Sequence, residues 1–461
     1  MKKLIALLLI TSLLTGLSAF PALAAGENDA TAEPQMQEIS PWAYDALADL
    51  YALGLWNDSY YYCILDPVTS GQMDAICGAV AAKLALLNIT PSNKSGAALV
   101  LDSTRGGVKN ALFQEVAAYD MPYADQNADA LFHGLFIEKG DGAETDLNAR
   151  VCTLQEALVL ANRLVLALYD YYDAGSLGLL WKATGNGNTL YLLGSIHVDR
   201  SNVYPFHKQL RDIITSAEEV IFEVNLNDSE GIAAYAAMQF YSDGTTLKDH
   251  ISPELYAKVV DAMKTLGVPE EVTATIKPWA LATTLQSYAM MDDSTGDSFM
   301  AVDVYVNAKA VNENVPIGAV ETFQFQGSLF DTLSPEYQEA YLAAGLALFL
   351  GGDEAAAEDS AMVDETMASI DTWMSAWKAR DAGTFTASFD KEAILASGDE
   401  LNVKLFKDRD PGMIAAADTY LKNGTGHTYL MVVGAGHMIG GTGIVQGLKD
   451  LGYTVELCAA P

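Results

Sequence analysis

The chain has 461 residues, half of them hydrophobic, and a formal net charge of −34, with 26 lysines and arginines against 60 aspartates and glutamates. That length allows two or three domains with a sizeable core. So acidic a surface excludes nucleic acid and anionic membranes as partners, and it supplies many carboxylates able to hold divalent cations weakly.

The N-terminus reads Met1-Lys2-Lys3, a largely apolar stretch from Leu4 to Phe20, then Ala22-Leu23-Ala24. A basic start, a short apolar run and an A-x-A site predict a secretory leader over 1–24. No cysteine follows it to carry a lipid anchor. No other stretch holds 18 uninterrupted apolar residues, so no transmembrane helix is expected. Residues 25–38 are polar and read as a disordered linker. The four cysteines, Cys63, Cys77, Cys152 and Cys458, allow three full pairings, and the sequence does not choose among them.

Residues 39–170 show helical periodicity and a partial repeat. Trp42 to Gly54, a loop through Asp66-Pro67, and Met73 to Leu87 form one unit; Ala128 to Gly134, a loop, and Thr153 to Leu168 form a second. A small all-α domain is expected here. Its units resemble S-layer homology repeats, which implies attachment to cell-wall polysaccharide. Where those repeats carry a Thr-Arg-Ala-Glu type signature, this chain has Thr69-Ser70-Gly71-Gln72 and Thr153-Leu154-Gln155-Glu156, without the arginine.

After a short linker (169–178), two apolar runs flank Gly185-Asn186-Gly187-Asn188 and predict a hairpin. The second run, Thr189 to Leu193, leads through Gly194-Ser195-Ile196 to His197. A helix near 206–216 and a strand over 219–226 follow, giving a β-α-β unit and hence parallel pairing. Glu223 falls inside that strand, where burial is costly unless the carboxylate is paired; strict alternation would place it on a solvated face instead. Residues 230–310 read as mainly helical, 315–320 as a strand ending at Glu321, and 333–400 as helical and acidic. Arg409 begins or precedes another helix. The final unit is a strand over 429–433, Gly434-Ala-Gly-His437, a helix, and a strand over 453–457.

Two apolar runs thus end in Gly-x-x-His197 and Gly-x-Gly-His437. A single histidine after a strand is ordinarily a turn or core residue. The repetition places both at the carboxyl edge of a parallel sheet, where ligands bind, and suggests one shared metal ion or reacting group. The glycines are expected to permit a sharp turn or a close approach. Gly434-x-Gly436-x-x-x-Gly440 also superficially fits a dinucleotide fingerprint, but no later strands complete a sheet around it.

His197, Glu223 in Phe-Glu-Val-Asn-Leu, Glu321-Thr322 with Gln326 close behind, Arg409 and Gly434-Ala-Gly-His437-Met-Ile-Gly440 occur in this order. As a set they resemble the TraB/GumN family, with its Tiki-like metalloprotease relatives, over about 176–461. Arg409-Asp410 stands where that family usually has Arg-Asn, and Asn225 stands where Tiki proteins have a further acid. The resemblance implies an α/β fold with a parallel or mixed sheet and flanking helices, similar to erythromycin esterases and ChaN-like proteins. It implies a metal-dependent hydrolase of peptide or protein substrates, with His197, Glu223, Glu321, Arg409 and His437 catalytic. It also implies a divalent ion (Mn, Co or Zn) on His197, Glu223 and His437. The competing expectation is a cell-surface protein that sequesters a pheromone-like peptide or haem without turning it over.

Overall fold

The structure is a computed structural model that describes residues 35–92, 102–138, 145–196, 203–290, 300–351, 357–424 and 426–460. The leader, most of the 25–38 linker and His197 lie outside them.

Six strands build one sheet: β1 (Leu179–Gly185), β2 (Asn188–Ser195), β3 (Glu219–Phe222), β4 (Ile317–Ala319), β5 (Thr428–Gly434) and β6 (Thr454–Leu457). Their order is β4-β3-β5-β2-β1-β6. Only β1 runs against the others, pairing antiparallel with β2 and β6. The sheet is therefore mixed, with a parallel block β4-β3-β5-β2. Leu430, Met431, Val432 and Val433 are all buried, which is what a central strand covered on both faces requires. As the β-α-β pattern predicts, β2 and β3 are parallel, but β5, from far along the chain, sits between them.

The hairpin forms with a tighter turn than the four-residue Gly/Asn run suggests. Gly185 pairs with Asn188, leaving only Asn186 (φ 50°) and Gly187 (φ 91°) in the loop. Two consecutive positive-φ residues make the turn whose twist matches the flanking strands. The strand expected over 219–226 stops at Phe222. Asn225 ends it: its side chain accepts from the Asn227 N–H at 3.0 Å and its carbonyl from the Asp228 N–H at 2.9 Å, a local turn that competes with the ladder. Glu223 therefore lies just past the strand, and it is buried rather than on a solvated face.

The parallel strands end together. Ser195 is in register with Gly434, and Phe222 with both Val432 and Ala319. Beyond the strands, the Val320 N–H still donates to the Phe222 carbonyl and the Glu321 N–H to that of Glu223. Residues after β2, β3, β4 and β5 thus leave one edge of the sheet.

Before the sheet come the helices Tyr44–Ala52, Ser70–Ala85, Arg105–Ala117, Ala128–Gly134 and Leu154–Tyr171. Thr69, Thr104 and Thr153 cap three of them, each hydroxyl accepting a backbone N–H three residues on. The segments entering these helices bond to one another: Val68 N–H to Cys152 O, Cys152 N–H to Ser103 O, and Arg105 N–H to Arg150 O. A third capped helix, beginning at Arg105 after Thr104, thus stands between the two units that the sequence shows. All four cysteines are free thiols.

This helical region shares one apolar cluster with the sheet. The Val302–Asn312 helix joins the two. Its first N–H donates to the Ile196 carbonyl at 3.4 Å. Farther along, the Tyr305 hydroxyl donates to Asp49 at 2.6 Å, Lys309 pairs with Asp49 at 3.1 Å, and Asn312 bonds the Tyr44 carbonyl. No helix among the described residues is long and apolar enough to cross a membrane.

Candidate functional site

Four of the five residues singled out by sequence gather at the carboxyl edge of the parallel strands. Glu223 follows β3, Glu321 follows β4, and His437 sits in the Ala435–Met438 turn after β5. Arg409 precedes the Asp410–Lys422 helix. The fifth, His197, is outside the described residues; Ile196, just before it, leaves β2 at the same edge.

Arg409 ties both glutamates together. Its Nε donates to Glu321 Oε1 at 2.9 Å, while Nη2 donates to Glu321 Oε2 at 2.8 Å and to Glu223 Oε2 at 2.5 Å. Gln326 Nε2 donates to Glu223 Oε2 and Glu321 Oε2, both at 3.0 Å. The remaining Glu223 oxygen, Oε1, accepts the Gly434 N–H at 2.7 Å. Burial opposes the charge on Arg409 more than any other single influence. The attraction of Glu223 and Glu321 together outweighs it and holds the guanidinium protonated beyond its ordinary range.

His437 is fully buried, with Nδ1 2.8 Å from Asp410 Oδ1. Asp410 Oδ2 pairs with Lys391 at 2.7 Å and accepts from the Thr442 hydroxyl at 3.0 Å. Burial pulls the Lys391 ammonium below the ordinary lysine value, partly offset by Asp410. A carboxylate only accepts, so in the neutral ring the proton sits on Nδ1 and Nε2 presents its lone pair. Nε2 is buried and has no hydrogen-bond partner among the described residues. The Phe406 ring packs on the imidazole with centroids 5.3 Å apart.

The glycines act through close approach. None of Gly194, Gly434 and Gly436 has positive φ. A Cβ at Gly434 would lie 3.3 Å from Glu223 Oε1 and 3.5 Å from His437 Cδ2, so carboxylate and imidazole crowd the same residue. A Cβ at Gly436 would meet Phe406 at 2.9 Å, and one at Gly194 the Ala435 backbone at 2.9 Å.

Sequence reading misses Lys391, Thr442 and the role of Asp410. The only available signal was Asp410 itself, visible as a departure from the family's Arg-Asn pair.

Among the described residues, no three His, Cys, Asp or Glu side chains converge as a metal site. The donors that are present nonetheless suit one. A carboxylate fixing Nδ1 and leaving Nε2 bare is the usual support for a metal-binding histidine. Among the described residues, the carboxylates Glu223, Glu321 and Asp410 face the cations Arg409 and Lys391.

A mixed sheet flanked by helices, with histidine and paired glutamates at its carboxyl edge, defines an α/β protein with a buried, charged centre. A family model described as the TraB/PrgY/gumN family matches residues 179–457, from the first residue of β1 to the last of β6. The chain belongs to the TraB/PrgY/gumN family. No curated protein and no solved structure is recognisably similar to it.

Proposed function

We propose that this chain is an exported, metal-dependent hydrolase of peptide bonds. One observation carries the reading: His437 offers a buried, unpartnered Nε2, oriented by Asp410, beside the Glu223 carboxylate at Gly434. His437 and Glu223, with His197, would hold the ion; imidazole and carboxylate donors suit Mn, Co or Zn. The bound ion would supply a water with its pKa lowered to about 7.

The protein's own groups divide the remaining work. Where the two histidines hold the ion, Glu223 is the base and would take the proton of the attacking water at Oε1, the oxygen on the Gly434 side. Glu321 is a positioning residue: its two-pronged pairing with Arg409 fixes the guanidinium that aims Glu223. Asp410, held by Lys391 and Thr442, keeps the imidazole in the tautomer that leaves Nε2 bare. Metal analysis of the purified protein tests this. About one divalent ion per chain is expected in wild type, and its loss in the His197→Ala/His437→Ala double variant. Equal metal content in both proteins overturns the assignment.

Sequestration of a pheromone-like peptide or of haem has one observation in its favour. Arg409 and Gln326 already engage both glutamates, an arrangement that a non-catalytic pocket tolerates and a base must partly undo.

For the helical region, the third capped helix supports anchoring to cell-wall polysaccharide through residues 39–170, because Thr104-Arg105 supplies the threonine-arginine pair absent from the two units. The full chain is expected to co-sediment with purified wall, and Arg105→Ala to reduce the bound fraction. Equal sedimentation of the two proteins, or none with wild type, removes the anchoring role.

A further inference from the structure

The stretch leading into Arg409 holds a group that none of the chemistry above uses. Glu400–Asn402 is helical, and Val403–Lys407 continues as a wider π-type turn. Such turns interrupt helices mostly at functional positions. Buried residues occur here as doublets four apart: Leu401-Asn402, Leu405-Phe406 and Arg409-Asp410. The second members, Asn402, Phe406 and Asp410, therefore form one row along the helix. Phe406 packs on the His437 ring and Asp410 binds its Nδ1. Asn402 continues that row by one turn.

Asn402 is fully buried, yet neither Oδ1 nor Nδ2 has a hydrogen-bond partner among the described residues. Leaving both ends of a buried amide unpaired is costly. Its chemistry is complementary to the N–H and C=O that one residue of an extended chain presents on the same side: Oδ1 accepts the N–H and Nδ2 donates to the C=O. His437, at Nε2, likewise has no hydrogen-bond partner among the described residues.

From this we infer that Asn402 is a substrate-positioning residue, pairing through both ends of its amide with the N–H and C=O of one extended residue of the bound chain next to His437. The inference rests on the peptide-hydrolase reading and goes beyond it by naming how the substrate backbone is held.

The test compares wild type with Asn402→Leu, close in shape but apolar, and Asn402→Ala, which adds no bulk. Thermal unfolding is measured alongside kcat and KM on a peptide library with added Mn²⁺. A melting point unchanged or raised in at least one variant, with KM up about tenfold or more and kcat changed far less, is the expected result. Lower melting points in both variants with KM unchanged would show the amide to be structural and overturn the inference. If wild type cleaves no peptide, the hydrolase reading fails by itself. Asn402 is then judged by calorimetric peptide binding: about tenfold weaker binding in the variants upholds its role, and equal binding, or none in wild type, overturns it.

Discussion

Replacing Arg409 by methionine is expected to destabilise the fold by about 3–5 kcal/mol. The arginine is buried and pairs with both Glu223 and Glu321, which are themselves buried side by side. Methionine fills much of the same volume but takes the guanidinium charge away from two carboxylates that face each other. The protein must then protonate one of them or admit water, and either response costs stability. Chemical denaturation of wild type and variant gives the difference directly. Adding Glu223→Gln and Glu321→Gln to Arg409→Met removes the uncompensated charges and is expected to recover most of the loss. A loss below about 1 kcal/mol in the single variant, within the range of a surface ion pair, would mean that the cluster is far more hydrated than its burial indicates.

The second large effect is on turnover. Glu223→Gln keeps the shape of the side chain and can still accept the Gly434 N–H, but it cannot take a proton. A fall in kcat of about 10²-fold or more with KM nearly unchanged is expected. Glu321→Gln is expected to act more weakly, because Glu321 works through Arg409. If Glu223 serves chiefly to hold the metal, its replacement releases the ion, and activity partly returns with excess Mn²⁺ or Co²⁺. Stoichiometric peptide binding without product, the same in wild type and both variants, would replace hydrolysis with sequestration.

Much of the sheet was legible in the chain because its central strand β5 and the end of β2 are buried on both faces. Leu190 to Leu193 and Leu430 to Val433 carry no helical period, and Asn186-Gly187 marks the turn. His437 was legible because a glycine-rich turn after such a strand has few structural purposes. What stayed hidden depends on contacts between distant segments. Nothing local marks Lys391, at the start of a short helix, as the partner of Asp410. The burial of Glu223 follows from a strand that stops early at an Asn225 turn, while periodicity alone extends the strand. The Arg105–Ala117 helix escaped notice because Gly106 and Gly107 at its start blur its amphipathic pattern.

The family match and the folding unit begin at different places. The match opens at Leu179, yet the Val302–Asn312 helix inside it spends Tyr305, Lys309 and Asn312 on the Tyr44–Ala52 helix. A chain trimmed to the match would set two polar hands and a lysine adrift and bare the apolar surface that the earlier helices cover. The shortest version worth expressing therefore starts near residue 40, and a boundary drawn by kinship would cut through the middle of what folds together.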